Sequence, residues 1–287
     1  MKTVLEEPGV RGWYNARKLR SEQAADLEAR KLSAVAEAFG DIEGERVTPG
    51  EIVRMARDHP ARLRDLSVEY AARMKGAGRQ DSYIGKTLSA VAGWLKHNGV
   101  EFHQFPKLSS VSGETLNNER VPTPDELRTI LAALPVRGRV IALAMAHAGL
   151  RPGVLGGYRG QSGLTLDSFP ELKLSGLGAP RFDLKPGQHS VRINVPATLS
   201  KTRRAYVTFG TPEFAEATIA YLKDRIRNDR EVPDRLAPES PLIAMSPLGA
   251  RNVHNGSGVW GHTTSKTVVF EIRTAISKVR PEGVRWR

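Results

Sequence analysis

Apolar side chains in the first hundred residues recur at the three- and four-residue spacing that places them on one face of a helix. Three such faces follow one another, and Ser82 and Gly99 mark the expected N-cap and stop signal of the last. The pattern predicts an all-helical domain over residues 1–105, with several short helices around one core. The faces consist of Ala25, Ala29, Leu32, Ala36 and Phe39; Leu63, Leu66, Tyr70 and Met74; and Ile84, Leu88, Val91 and Leu95.

Two further helix starts carry the same local signal. In "TPGE" (48–51) and "TPDE" (123–126) the threonine takes the N-cap position, the proline the first helical position and the glutamate the third. A glutamate there can bond back to the N-cap backbone, so both stretches are expected to be capping boxes. The second box opens an amphipathic helix, and a further apolar helix is expected over about 138–148. The apolar face after the second box is Leu127, Ile130, Leu131 and Leu134.

Residues 106–121 separate two differently organised regions. They lack a helical period and are rich in Ser, Asn and Gly, which is typical of a linker. Beyond the linker, residues 122–287 are expected to form a second domain. Within it, apolar and polar residues alternate over 191–195 and again over 206–209. These two strands are predicted to form an antiparallel hairpin whose basic turn centres on Lys201.

The rest of the second domain is predicted to be mostly helical. A third strand is expected near 171–183, and two helices follow the hairpin. The predicted fold class is therefore mainly α in two domains, an all-α domain followed by an α+β domain with a small antiparallel sheet. The expected buried faces of the two later helices are Ala215, Ile219, Leu222 and Ile226, and Val269, Ile272, Ile276 and Val279.

The charge balance narrows the choice of partners. Among 287 residues, Lys and Arg number 43 against 31 Asp and Glu, a formal net charge of +12. This favours a polyanionic partner, with nucleic acid first and a membrane surface second. No apolar run approaches the ~18 residues of a membrane span, and no basic amphipathic helix stands out. Nucleic acid is thus the first candidate partner, and the alternative is a charge that serves solubility alone.

Other residue types exclude several site classes. The chain has no cysteine, so disulfides and thiolate–zinc sites are excluded, and "MKTVLEEPGV" lacks the apolar segment of a secretory signal. Both observations favour a cytoplasmic location. No metal is expected from the histidine spacing, with His254 and His262 placed in a glycine-rich loop. The stretch "GGYRGQSG" (156–163) lacks the Lys-Ser/Thr ending of a phosphate loop and is expected to be a flexible connection.

Two basic residues stand at positions that suit phosphate chemistry. Arg151 follows the end of one helix, just before a proline that opens another, and a guanidinium can bind two phosphate oxygens at once. Lys201 stands on the hairpin turn, from which an ammonium can reach a leaving oxygen. The ordinary alternatives are a helix-end salt bridge for Arg151 and a solvated charge for Lys201. Arg203 and Arg204 are expected to contact backbone phosphates or to be surface charges.

A set of polar residues lies off the apolar face of the predicted helix over 83–97. This face suits a DNA groove and phosphate contacts, and a solvated face fits it equally well. Gly85 and Gly93 on the same helix permit close approach of a DNA backbone or of a neighbouring helix. The candidate DNA-binding residues are Ser82, Lys86, Ser89 and Lys96.

Several stretches resemble the tyrosine recombinase/integrase family of phage-type and archaeal-type site-specific integrases. "AHAGLRPGVLG" resembles the family's first arginine box, and "VPATLSKTRRAYVTF" resembles its lysine hairpin. "WYNARKLRSEQAADLEARKLSAVAEAFG" and "DSYIGKTLSAVAGWLKHNGVEF" resemble its helical core-binding domain. The resemblance covers most of the chain. It implies a core-binding domain over 1–105, a linker and a partial catalytic domain over 122–287, with the fold of DNA breaking-rejoining enzymes.

The resemblance also implies a function, namely DNA binding and site-specific recombination or integration by a mobile element. In that family a tyrosine attacks a DNA phosphodiester, and no cofactor is needed because the phosphotyrosine link conserves the bond energy. By this resemblance Arg151 is the first catalytic arginine, which binds the scissile phosphate. Lys201 is the catalytic lysine, which protonates the leaving 5′-oxygen. The implied partners are double-stranded DNA and other recombinase subunits bound to it.

The chain departs from the family pattern in two respects. Val154 stands where the family commonly has an acidic residue, three positions after the first arginine. The second His/Arg box and the nucleophilic tyrosine are expected after the helix at 264–279, where the chain ends "KVRPEGVRWR", so a recombinase truncated within its catalytic domain is expected. Tyr158, Tyr206 and Tyr221 precede that box and are expected to be structural. Three hypotheses remain open: a recombinase lacking its C-terminal part, a DNA-binding remnant that cannot cleave, and an unrelated DNA-binding regulator.

Overall fold

The structure is a computed structural model in which the chain divides into two compact units, residues 1–117 and residues 118–287. It describes residues 2–7, 9–108, 119–174, 179–227, 236–245, 261–279 and 285–286. The chain is mainly helical, and all of the described strands belong to the second unit. The predicted fold class, mainly α with a small antiparallel sheet, is confirmed. Most of the predicted linker, residues 109–118, lies outside the described residues.

The first unit is a bundle of helices packed around a long central helix. Its described helices are α1 (Lys2–Leu5), α2 (Val10–Lys18), α3 (Glu22–Glu43), α4 (Pro49–Asp58), α5 (Pro60–Gly76) and α6 (Asp81–His97). The three predicted apolar faces are buried, with Met74 only partly so, and all of their residues except Ala25 belong to one core. Trp13 and Trp94 add large buried rings that meet edge-on, with centroids 5.8 Å apart. The Trp94 indole N–H donates to the Pro49 carbonyl at 2.9 Å and so ties α6 to the start of α4.

The start of α4 is fixed by a local hydrogen-bond pair. The Thr48 side chain accepts a bond from the Glu51 backbone N–H at 3.2 Å, and the Glu51 carboxylate accepts one from the Thr48 backbone N–H at 2.7 Å. The predicted capping box is therefore confirmed. The bond from the Thr48 backbone is also the main cause that lowers the pKa of Glu51.

The predicted N-cap of α6 is wrong. Gln80 is the N-cap, in extended conformation, and Ser82 lies inside the first helical turn. Asp81 supplies an acidic residue to that first turn, where the helix dipole favours negative charge. It also pairs with Lys75 at 3.1 Å. The helix therefore starts two residues earlier than a serine cap at position 82 would allow.

The second unit combines helices with two-stranded sheets. Its described helices are α7 (Pro124–Ala133), α8 (Val136–Ala146), α9 (Pro152–Leu155), α10 (Pro212–Arg227) and α11 (Ser265–Val279), with a 3₁₀ turn at Leu166–Ser168. Its described strands are β1 (Glu119–Arg120), β2 (Leu172–Lys173), β3 (Arg181–Phe182), β4 (Val191–Val195), β5 (Tyr206–Gly210), β6 (Ala244–Met245), β7 (Gly261–His262) and β8 (Arg285–Trp286). Strand β1 pairs with β8 in parallel, whereas β2 with β3, β4 with β5 and β6 with β7 are antiparallel.

The predicted hairpin is confirmed as β4 and β5. The pairing runs from Val191 opposite Gly210 to Val195 opposite Tyr206, and β4 alternates buried with exposed residues. The capping box at Thr123 is confirmed as well and opens α7. By contrast, the region near 171–183 holds the two short strands β2 and β3 in place of the single predicted strand.

The predicted apolar faces of the last two helices are rotated. In α10 the Ile226 side chain is 41% exposed, while Arg225 is fully buried. Arg225 takes the buried position because the Pro241 carbonyl accepts its guanidinium N–H at 2.7 Å, and a buried charge needs such bonds. In α11 the fully buried valine is Val268, with Val269 only partly covered. Ile272, Ile276 and Val279 pack against the core as predicted.

Candidate nucleic-acid interface

One face of α6 carries a stripe of exposed polar side chains. Ser82, Lys86, Ser89 and Lys96 fall within about 80° of one another around the helix axis, and all are exposed. These residues are called the α6 stripe below. The predicted apolar residues lie on the opposite face and are buried, so the stripe faces outward as a continuous surface. The buried residues are Ile84, Leu88, Val91 and Leu95.

Two cations from neighbouring helices border the α6 stripe, and sequence reasoning missed both. The Lys31 ammonium of α3 donates to the backbone carbonyl of Lys86 at 3.3 Å. Arg17 of α2 lies against Gly93 in the middle of the stripe, where a Cβ would collide with its guanidinium. Gly93 therefore serves close packing between helices. The period of α6 alone cannot reveal either cation, because both come from helices packed beside it.

The carboxylate that faces Lys31 is that of Glu28, and it is already paired with another cation. Burial, and after it the Lys86 ammonium, lowers the pKa of Lys31 below its ordinary value, and Glu28 opposes this shift. Glu28 is already paired with Arg17 at 3.1 Å. Lys31 thus extends the positive charge of the α6 stripe onto α3.

Arg151 stands at a fixed joint between α8 and α9, residues 147–151. Gly149 adopts the left-handed φ of +65° that ends α8, and the Leu150 N–H closes on the Ala144 carbonyl at 3.0 Å. Leu150 is buried, with 2% exposure, and Arg151 is the extended N-cap residue of α9. The residues "GLRP" therefore fix the backbone on both sides of this arginine. The prediction that one helix ends before Arg151 and another begins after it is confirmed.

The Arg151 side chain itself is exposed. Across the described part of the chain, it makes no hydrogen bond or ion pair, so the helix-end salt bridge considered above is not found there. Val154, at the position of the family's acidic residue, is 3% exposed and packs in the core. This position therefore supplies no carboxylate to orient the guanidinium.

The hairpin that carries Lys201 is bonded to this joint. The Thr208 hydroxyl of β5 donates to the Ala148 carbonyl at 2.8 Å, and His147 Nδ1 lies 3.1 Å from the Thr211 hydroxyl. His147 and Ala148 are the first two residues of the joint. The structure thus brings the arginine joint and the second strand of the hairpin side by side within the second unit.

The connection between β4 and β5 consists of successive tight turns. The backbone N–H groups of Leu199, Ser200 and Arg203 each bond to a carbonyl three residues earlier. Lys201, Arg203 and Arg204 are exposed along this connection. Arg203 adopts a positive φ of 55°, which is uncommon for a residue with a side chain. The basic turn predicted around Lys201 is therefore an ordered backbone turn with outward cations.

The glycine-rich stretch 156–163, here called the glycine turn, was expected to be a flexible connection, but the structure shows a closed and packed turn. The Gly157 N–H donates to the Ser162 carbonyl at 2.6 Å, which closes the turn. A Cβ at Gly156 would collide with the carbonyl oxygen of Thr263. The glycines allow this turn to pack directly on the backbone that precedes α11.

His262 lies on β7 opposite Ala244, and not in a glycine-rich loop as predicted. Its Nδ1 is buried and, among the described residues, has no hydrogen-bond partner. Burial, and then the charge of Arg225, lowers the pKa of His262. The second histidine of that prediction, His254, lies outside the described residues.

A partly buried ion pair ties α8 to α11. Arg137 pairs with Glu271 and also donates to the Ala244 carbonyl at 3.0 Å. Burial raises the pKa of Glu271, and Arg137 opposes the shift. The Ala244 N–H in turn donates to the Tyr221 hydroxyl at 3.1 Å, so Tyr221 is held inside the core. Tyr158 lies in the glycine turn.

Within the described ranges, no group of three or more His, Cys, Asp or Glu side chains could hold a metal ion. No helix among the described residues is both long and apolar enough to cross a membrane.

No protein-family model matches the chain, and no curated protein matches it in sequence. Among solved structures, the chain is similar to the XerA recombinase, with 14% sequence identity over 94% of this chain and 74% of that chain. The TM-score is 0.35. At this identity and score the likeness is too slight to show a family.

Proposed function

We propose that the chain binds double-stranded DNA and that the α6 stripe is its contact surface in the first unit. The observation that carries this proposal is the outward row of Lys86, Lys96 and two serines on one helix, extended by Lys31. Of the two serines, Ser89 already donates its hydroxyl to the Gly85 carbonyl at 2.8 Å, so the two ammonium groups are the main donors. Hydroxyl and ammonium groups are the donors that contact phosphate oxygens, and the major groove admits one α-helix. The net charge of +12 supports the same partner.

Arg151 and the basic connection of the hairpin form the proposed contact surface of the second unit. A guanidinium on a fixed backbone presents its fork to a phosphate with little loss of backbone freedom. Lys201, Arg203 and Arg204 add exposed cations on the hairpin that is bonded to the same joint. These residues would contact phosphates and not base edges.

The salt dependence of binding tests this proposal. A labelled short duplex of arbitrary sequence is titrated with the full chain at several salt concentrations. About four phosphate contacts predict a fall of about 100-fold in affinity between ~50 mM and ~200 mM salt. The double variant Lys86→Gln with Lys96→Gln should show a shallower salt slope, whereas Lys18→Gln, whose charge is paired with Glu22 at 3.1 Å, should not. Absent or salt-independent binding would contradict the proposal.

The finer proposal is strand exchange of the tyrosine recombinase type. Here the hydroxyl of a tyrosine supplied by another recombinase subunit loses its proton to solvent, and its oxygen forms a bond to the phosphorus. The bond from phosphorus to the 5′-oxygen breaks, and Lys201 gives its proton to that oxygen. Arg151 binds the phosphate whose charge develops during the attack. The attachment of the Arg151 joint to the hairpin of Lys201 favours this candidate over a regulator with unrelated surface charges.

A nicked suicide duplex separates cleavage from binding. In the family pattern the nucleophile follows a second His/Arg box, and none of the six tyrosines of this chain follows such a box. The chain on its own is therefore expected to bind the duplex without a covalent adduct that survives denaturing electrophoresis. A covalent adduct would contradict this expectation, and peptide mapping would identify the attacking tyrosine.

A further inference from the structure

At the edge of the α6 stripe, a lysine of α3 contacts the backbone of a lysine of α6. The Lys31 side chain reaches from α3 to the backbone carbonyl of Lys86, where its ammonium donates at 3.3 Å. Lys31 is half-buried, whereas Lys86 is exposed. A lysine that only needed solvation would extend into water, since its flexible stem permits it. This lysine is instead anchored beside another of the same charge.

The groups that face Lys31 leave this arrangement electrostatically unfavourable. They are Lys86 of α6 and Glu28 of α3, and Arg17 of α2 is already paired with Glu28. Burial and the Lys86 charge together outweigh Glu28, so the pKa of Lys31 is lowered. An anion placed between the two ammonium groups would reverse both effects, because an opposite charge favours the protonated form.

We propose that Lys31 and Lys86 form one phosphate-binding site, which takes a single phosphodiester group of duplex DNA. This inference rests on the proposed function of the α6 stripe and adds to it a residue outside that helix. Lys86 and Lys96 are ten residues apart, or about 15 Å along the helix, which is comparable with the ~12 Å width of the major groove. One duplex can therefore meet the Lys31–Lys86 site on one strand and Lys96 on the other.

The site has a consequence that an ordinary surface lysine lacks. Binding restores the protonated form of Lys31, so the complex holds more protons than the free protein at alkaline pH. Affinity therefore falls as pH rises through the lowered pKa of free Lys31 toward the higher pKa of the complex. Arginine stays protonated throughout this range, so it can keep the charge of position 31 without the proton uptake.

Two substitutions of the full chain test the site. Lys31→Gln should lower the salt slope by about 1 and weaken binding by about three- to tenfold near 0.1 M salt. Lys31→Arg should bind within about twofold of the wild type at neutral pH, but its affinity should fall less between about pH 8 and about pH 10. Lys96→Gln is the matched control, since it should lower the salt slope and leave the wild-type pH dependence in place. Far-UV circular dichroism checks that each variant is folded.

The outcomes separate this inference from the proposed function. If the wild type shows no salt-dependent binding, the proposed function fails. If the wild type binds and Lys31→Gln matches it in slope and affinity, the Lys31–Lys86 site is wrong and the α6 stripe stands. If Lys31→Gln does not fold, Lys31→Arg decides the question, because a pH dependence identical to that of the wild type overturns the site.

Discussion

At the scale of the residue, Arg151 is the sharpest test of a phosphate contact. Its side chain is exposed on a fixed backbone, so its removal should change the free energy of unfolding by no more than about 0.5 kcal/mol. Arg151→Ala is expected to weaken binding of a short duplex by about 1.5–3 kcal/mol, the range of hydrogen bonds to charged groups. Arg151→Lys should lie between Ala and wild type, because lysine keeps the charge and loses the bidentate fork.

The control for this substitution is Arg181, which is exposed on β3 of the same unit. Arg181→Ala removes the same charge, and fluorescence anisotropy compares the dissociation constants of the two variants. Equal losses for Arg181→Ala and Arg151→Ala, with Arg151→Lys indistinguishable from wild type, would mean that only net charge matters.

The positions of some single residues were predictable from the sequence, and those of others were not. The joint around Arg151 was predictable because its signals are local. Gly149 ends one helix and Pro152 begins the next, and each effect depends only on neighbouring backbone. Lys31 and Arg17 were not, because their positions beside α6 depend on how three helices pack. Arg225 was not predictable either, since its burial depends on carbonyls of Pro241 and Leu242, far along the chain.

At the scale of the element, the glycine turn supports the start of α11. A Cβ at Gly156 would meet the Thr263 backbone, which cannot move as a flexible side chain can. Gly156→Ala is therefore expected to lower the free energy of unfolding of the second unit by about 1–3 kcal/mol, as over-packing does. Gly153→Ala, three residues away in α9, meets no atom within 4 Å and should be neutral or slightly stabilising.

Urea unfolding followed by circular dichroism measures both variants, and the comparison does not depend on any function. Equal stability of Gly156→Ala and Gly153→Ala would mean that residues 262–265 do not rest on this turn. The expectation of a flexible connection failed because glycine permits close packing as well as freedom. Only the segment that lies opposite decides between these two uses.

Elements defined by local signals were predictable from the sequence, whereas the buried face of a helix that is set by distant contacts was not. The two capping boxes and the β4–β5 hairpin depend on residues close in sequence, and all three are confirmed. The buried face of α10 is rotated because Arg225 and Tyr221 bond to a segment that follows the helix. Hydrophobic period alone assigns that position to Ile226, which is exposed instead.

At the scale of the whole molecule, composition and pattern were enough for the fold class and for a candidate partner. The mainly helical fold class follows from hydrophobic periodicity, and the charge of +12 favours a polyanion. The chemistry within each unit needed the structure, because it depends on which cations are exposed and which are paired. Lys18, Arg73 and Lys75 are paired with carboxylates, whereas the Arg151 side chain has no such pair in the described residues.

Two surfaces on two units raise a question that neither unit answers alone, which is whether one duplex contacts both. Lys86 represents the first unit and Arg151 the second. If one duplex meets both, Lys86→Gln and Arg151→Ala should each lower the salt slope by about 1, and the double variant by about 2. The losses in binding free energy should add to within about 0.5 kcal/mol, since the two sites are independent.

Salt titrations of the three variants and of Lys75→Gln, a lysine already neutralised by Asp81, measure this directly. A double variant no weaker than the weaker single variant would show that the two contacts do not contribute together, and simultaneous binding of one duplex by both units would be wrong.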